Sequence, residues 1–127
     1  MMEEEKVQAA MSIILYAGEA RTACKEMLDA ISVMEFDKAK IKLDEAQKKI
    51  TEAHRIQTDA IQDEARGEKK EYSLLFAHAQ DTLMTVYSEI NIGKQLLKIF
   101  RNYSQFFVLN KSGEEEKDGQ DTKEFSA

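Results

Sequence analysis

Tyr72-Ser-Leu-Leu-Phe-Ala-His-Ala-Gln-Asp-Thr-Leu-Met-Thr85 lies in the third of three long segments with helical periodicity. On a helix, His78 and Asp81 stand three residues apart and share a face. Thr85 follows one turn on, with Leu74 and Ile92 in the same stripe. The opposite side carries Leu75, Ala79, Leu83, Val86, Ile90 and Leu97, which is also apolar. A surface helix of a monomer needs one apolar stripe. One stripe can pack on the chain's own helices, and the second requires another chain. The spacing therefore predicts a histidine beside an interchain seam.

The rest of the composition agrees with an all-α chain. Its 127 residues include no proline and five glycines, and it is rich in Ala, Glu, Lys, Leu, Gln and Met. That length suits one domain with a real core. A formal charge of −6 argues against nucleic acid, which calls for a basic face, and suits basic protein partners. Cys24 is the only cysteine, so a disulfide framework and a cysteine zinc site are excluded, and a packed thiol is expected. The start Met1-Met-Glu-Glu-Glu-Lys6 lacks the order of a signal peptide, and no apolar run reaches membrane-spanning length. A cytoplasmic protein is expected.

Segment one is expected over about 4–32, with Val7, Ala10, Met11, Ile14, Leu15, Cys24, Met27, Leu28 and Ile31 at helical spacing. Gly18 falls in its middle, among the small residues Ala17 and Ala20. Two readings follow: close approach of another helix, which ranks first, or room for a phosphorylated side chain. After a break at 34–37, with Asp37 as the expected cap, segment two runs over about 37–66. Ala39, Ile41, Leu43, Ala46, Ile50, Ala53, Ile56, Ala60 and Ile61 supply its apolar face. His54 and Gln57, three apart, share another. Gly67 is placed as the C-cap. Segment three continues to about Asn110, which makes 1–110 the domain and 111–127 an acidic tail with the composition of a disordered segment. Short connections then require an up-down-up bundle. Neither an internal repeat nor a sustained heptad array is expected.

The usual catalytic motifs are missing: no Gly-rich phosphate loop, no nucleophile elbow and no zinc helix. Two histidines, His54 and His78, cannot build a histidine-rich metal site in one chain. A neutral imidazole is nonetheless a phosphoryl nucleophile near neutral pH. Such transfer needs positioning and uncharged donors around the phosphoryl oxygens, which Gln57, Gln80, Thr82 and Thr85 could supply. The competing reading is that His78 and Asp81 only satisfy each other inside a helix interface.

Three stretches in order go further: Ala17-Gly-Glu-Ala-Arg21, Glu52-Ala-His-Arg-Ile-Gln-Thr58 and Tyr72–Thr85. They resemble the lactose/cellobiose (chitobiose) enzyme IIA family of the bacterial phosphoenolpyruvate-dependent sugar phosphotransferase system. The resemblance implies a three-helix protomer assembled as a homotrimer of nine helices. It implies that His78 accepts a phosphoryl group from the carrier protein HPr and passes it to a cysteine of enzyme IIB. From there the group reaches a β-linked disaccharide of the lactose, cellobiose or chitobiose class, entering through the membrane component IIC. His54, Gln57, Gln80 and Thr82 are expected as support for the phosphate. Asp81 is implied as a carboxylate near the trimer axis, with one Mg2+ shared by three copies. Thr82 departs from the family, which usually carries a second histidine there; a threonine can hydrogen-bond but brings no positive charge. Two other classes compete: a helical adaptor without transfer activity, and a monomeric histidine phosphotransfer domain of two-component signalling. The second calls for basic neighbours, where this chain has Gln80, Asp81 and Thr82.

Overall fold

The structure, a computed structural model, describes residues 3–67 and 73–117, with side chains for 4–67 and 73–108. It consists of three helices: α1 (Glu3–Ser32), α2 (Phe36–Arg66) and α3 (Leu74–Lys117). Ion pairs between helices reveal their directions. As α1 advances from Lys6 to Glu19 to Glu26, the partners on α2 retreat from Glu64 to Lys49 to Lys42, so these helices are antiparallel. On α3 the partners of α1 advance with it: Lys6 lies over the Phe76 ring and Arg21 pairs with Glu89 at 3.0 Å. Asp37 on α2 meets Arg101 far along α3. The bundle is up-down-up, as expected.

Each helix buries one stripe at alternating spacings of three and four. On α1 it is Ala10, Ile13, Ala17, Ala20, Cys24, Met27 and Ile31; on α2 it is Ala39, Leu43, Ala46, Ile50, Ala53 and Ala60. On α3 it is Phe76, Ala79, Leu83, Val86, Ile90 and Leu97, with Gly93 in the remaining position. The heptad order not expected from sequence is thus present on all three. It is inconspicuous there because alanine marks many positions, and small side chains let helices approach closely. Ile41 and Ile61, expected in the core, lie off the α2 stripe and are exposed. Val7, Met11 and Leu15, which share the helical spacing of segment one, form an exposed row on α1.

The close approach expected at Gly18 occurs instead at Gly93. A methyl group on Gly18 would meet nothing within 4 Å, whereas one on Gly93 would overlap Cε of the fully buried Met27. The helix ends also differ from expectation. Asp37 is not the cap of α2: the capping position is Glu35, which makes no side-chain cap, and Asp37 sits in the first turn, where it pairs with Arg101. α1 closes with the backbone bonds Glu35 N–H to Ala30 O and Met34 N–H to Ile31 O, and Met34 takes φ 62°. That is a Schellman ending with methionine where glycine is usual. Gly67 does end α2, its N–H donating to Asp63 and Glu64 carbonyls, with an extended backbone. α3 passes the expected boundary at Asn110 and reaches Lys117. Residues 118–127 of the expected tail lie outside the described residues.

Two stability measurements follow. Gly93→Ala should lower stability by about 1–3 kcal/mol through overpacking, despite the better helix propensity of alanine. Met27→Ala in the same chain should remove most of that penalty in a double-mutant cycle read by urea unfolding. Met34→Gly should raise stability by about 1 kcal/mol, the usual cost of a left-handed side-chain residue. A loss in Met34→Gly would show that packing of Met34 outweighs its backbone strain.

Candidate functional site

Ser73 positions the site. Its Oγ accepts the N–H of Phe76 at 3.1 Å, and its carbonyl accepts the first helical bond, from Ala77. This N-cap starts α3 at Leu74 and sets which residues point inward. With Phe76, Ala79 and Leu83 held in the core, His78 and Asp81 are rotated about 200° away, two residues beyond each inner position. Both are exposed on the outer face, followed by Thr85, Ser88 and Ile92. The side of the helix read as a second stripe is therefore uncovered within the protomer.

The hydroxyls nearby are already engaged. Thr82 Oγ1 donates to the His78 carbonyl at 2.9 Å, and Thr85 Oγ1 donates to the Asp81 carbonyl at 2.8 Å. Such bonds to the preceding turn use the hydroxyl proton and leave oxygen lone pairs, so in this rotamer neither threonine presents a donor outward. A shallow cavity of about 640 Å³ beside them is lined by Asp81, Met84, Thr85, Ser88, Glu89 and Ile92. Glu89 is held by a two-pronged bond from Arg21, whose Nε and Nη2 donate at 3.1 and 3.0 Å. That guanidinium comes from the Ala17–Arg21 motif of α1, so this motif and the α3 motif meet here.

The remaining expected support residues are dispersed. His54 of α2 is half-buried, its ring edge-on to Tyr87 with centroids 5.2 Å apart. Tyr87 lies nine residues past His78, roughly 14 Å along the helix. Gln57 is half-buried and continues the inner α2 stripe seven residues beyond Ile50. Gln80 is half-buried and, two residues from His78, points nearly the opposite way. Within one protomer the structure groups His78, Asp81, Thr82 and Thr85, and leaves His54, Gln57 and Gln80 apart. Arg21 and Glu89 were not read from sequence as site residues. Their signal was the arginine closing the α1 motif.

Among the described residues, no three His, Cys, Asp or Glu side chains cluster to hold a metal. Asp81 alone offers one exposed oxygen donor group, and a hard cation would need carboxylates from elsewhere.

Residues 8–101 match the family described as the lactose/cellobiose-specific IIA subunit of the phosphotransferase system. The chain belongs to this family. It is 35% identical over 103 residues to the lactose-specific EIIA component of Lacticaseibacillus casei, covering 81% of this chain and 92% of that protein. To the lichenan-specific enzyme IIA component of Bacillus subtilis it is 34% identical over 104 residues, covering 82% and 94%. The fold superposes on the cellobiose-specific enzyme IIA of Bacillus anthracis with TM-score 0.74 at 33% identity, covering 83% and 95%. It also matches the chitobiose IIA of Escherichia coli, solved in complex with HPr, with TM-score 0.66 at 25% identity, covering 82% and 99%. This enzyme IIA is thus the phosphotransfer component for a sugar of the lactose/cellobiose class. No helix among its described residues is long and apolar enough to cross a membrane.

The lone thiol takes no part in the grouping. Cys24 is buried in the α1 stripe, and burial, with Glu89 adding and Arg21 opposing, pushes its pKa up. A thiol that holds its proton more tightly when folded costs nothing at neutral pH. Stability falls only as pH rises above the ordinary thiol range, where the unfolded chain alone releases the proton. An aromatic disulfide reagent should leave Cys24 unlabelled at pH 7 and label it fully in denaturant. Labelling of the native chain at the denatured rate would contradict the burial.

Proposed function

We propose that His78 is the phosphoryl-carrying residue of this enzyme IIA, accepting the group from HPr and donating it to a cysteine of enzyme IIB. The observation that carries this is the outward placement of His78: of the chain's two histidines it is the exposed one, while His54 lies against Tyr87. A nucleophile that serves two protein partners in turn must be reachable from outside, so the two partner surfaces overlap around it. In the first step an imidazole nitrogen lone pair of His78 attacks phosphorus, forming the new N–P bond as the N–P bond of the donor histidine breaks. In the second step a thiolate forms an S–P bond and the His78 imidazole leaves. The side chain tilts back toward the start of α3, where the positive end of the helix favours an anion. The chitobiose relative's complex with HPr supports the same partner here.

Assembly as a homotrimer through the outer face of α3 would cover Leu74 and Ile92 and bring three Asp81 carboxylates together. Like charges at such proximity repel and raise one another's pKa, or recruit a cation. An all-oxygen set fits Mg2+, which keeps several waters. Asp81 would hold that ion, whose charge would offset the carboxylate repulsion. His54, Gln57, Gln80 and Thr82 would serve the phosphoryl group only through contacts that a second copy or a docked partner adds. The protein would work in the cytoplasm, coupled indirectly to the membrane component IIC, and would not itself touch the sugar.

Native mass spectrometry with HPr, enzyme I and phosphoenolpyruvate tests the reading. Wild type should give a trimer gaining one phosphoryl group per chain, and His78→Ala should give the same trimer with none. Phosphorylation that survives in His78→Ala would overturn the assignment. A trimer that never gains phosphate would describe an adaptor with the family fold.

A further inference from the structure

The end of the bundle remote from His78 holds an apolar cavity of about 580 Å³. All three helices and the α1–α2 turn line it, with Leu28, Met34, Phe36, Phe100, Tyr103 and Phe107 among the side chains. None of its lining residues is charged. Its polar members are two serines, and Ser32 already donates to the Asp29 carbonyl. Tyr103 and Phe107 stack with ring centroids 6.5 Å apart, yet Tyr103 is 63% exposed and Phe107 48%. An open apolar surface of this kind calls for an occupant. The family match ends at residue 101, so Tyr103, Ser104 and Phe107 form a wall that lies beyond it. A partner shared across the family would use the surface the family shares. This wall suits an occupant peculiar to this chain.

We propose that residues 118–127 turn back along α3 and seat Phe125 in this cavity. Beyond Leu109, Phe125 is the only large apolar residue of the sequence. A polar segment buries too little surface to order itself, and one aromatic anchor entering a prepared cavity supplies what it lacks. The reach agrees. Lys117, the last residue of α3, stands ten residues and about 15 Å past Phe107. Asp118-Gly119 is a turn dipeptide. The six residues that follow it cover about 20 Å when extended, which brings Phe125 back to the level of Tyr103 and Phe107. Charge agrees as well. Residues 91–113 carry Lys94, Lys98, Arg101 and Lys111 and no acid, whereas 118–124 carries Asp118, Asp121 and Glu124 against Lys123. Lys111 follows Phe107 by about one helical turn, on the path of the returning segment. Tethering favours the chain's own segment over that of a second copy, because the linkage holds it at an effective concentration of about millimolar.

The chain has no tryptophan, so Phe125→Trp in the full chain reports on the segment directly. Its emission should be blue-shifted from that of an exposed indole, and acrylamide should quench it several-fold less than in urea. Adding Phe107→Glu, at a half-exposed position outside the core stripes, should restore quenching to the urea level with helical content by circular dichroism unchanged. Phe125→Ser should raise binding of the apolar dye anilinonaphthalene sulfonate several-fold over wild type. An indole as accessible in the native chain as in urea would overturn the proposal, as would equal dye binding by wild type and Phe125→Ser. Protection that persists in the presence of Phe107→Glu would put Phe125 elsewhere and overturn the cavity assignment. Protection lost on dilution from micromolar to nanomolar chain would assign the cavity to a second copy and overturn the tethered docking.

Discussion

The structure depends on α3 carrying two opposite stripes offset by two residues, an apolar inner one and an outer one that is polar through Ser88 and gains apolar residues from Ile92 on. Two residues on a helix are a rotation of about 200°, so the two stripes run back to back over the same turns. The inner one takes Ala79, Leu83, Val86 and Ile90 into the bundle with α1 and α2. The outer one necessarily presents His78, Asp81, Thr85, Ser88 and Ile92 away from it. Among the described residues of one protomer nothing covers the outer stripe. His78 is accessible because the core on the other side of its helix is fixed.

Close packing holds that arrangement to one rotation of α3. The stripe of α1 is rich in alanine, and Met27 reaches into the space left by Gly93. A turn of α3 about its axis would set a side chain where that glycine now stands. The ion pairs across the bundle, such as Lys49 with Glu19 and Arg101 with Asp37, are largely exposed and contribute little each. They record the direction of the helices more than they stabilise them.

The chemistry required of a IIA component is modest, and the site matches that modesty. Phosphoryl transfer between protein side chains requires a nucleophile that can be approached and surroundings that do not hold the group too firmly. His78 is bordered by Thr82 and Thr85, whose hydroxyl protons are committed to the preceding turn. Arg21, the cation of the α1 motif, is occupied by Glu89. The two threonine hydroxyls and the Arg21 guanidinium are thus each engaged within the protomer.

Sequence alone determined the all-α class, the up-down-up order, the inner stripe of α3 and the position of His78 on its outer face. Those features follow from periodicity, and a period of 3.6 is visible without any partner. The family was legible too, because its three motifs are contiguous runs. Only the tertiary structure decided which apolar residues turn inward on α1 and α2. Val7, Met11, Leu15, Ile41 and Ile61 are as hydrophobic as their buried neighbours, and their exposure depends on where the other helices lie. It also put the close approach at Gly93 rather than at Gly18, since a glycine's use is set by what approaches it. Finally it separated His54, Gln57 and Gln80 from His78, because spacing along one helix says nothing of the distance to another.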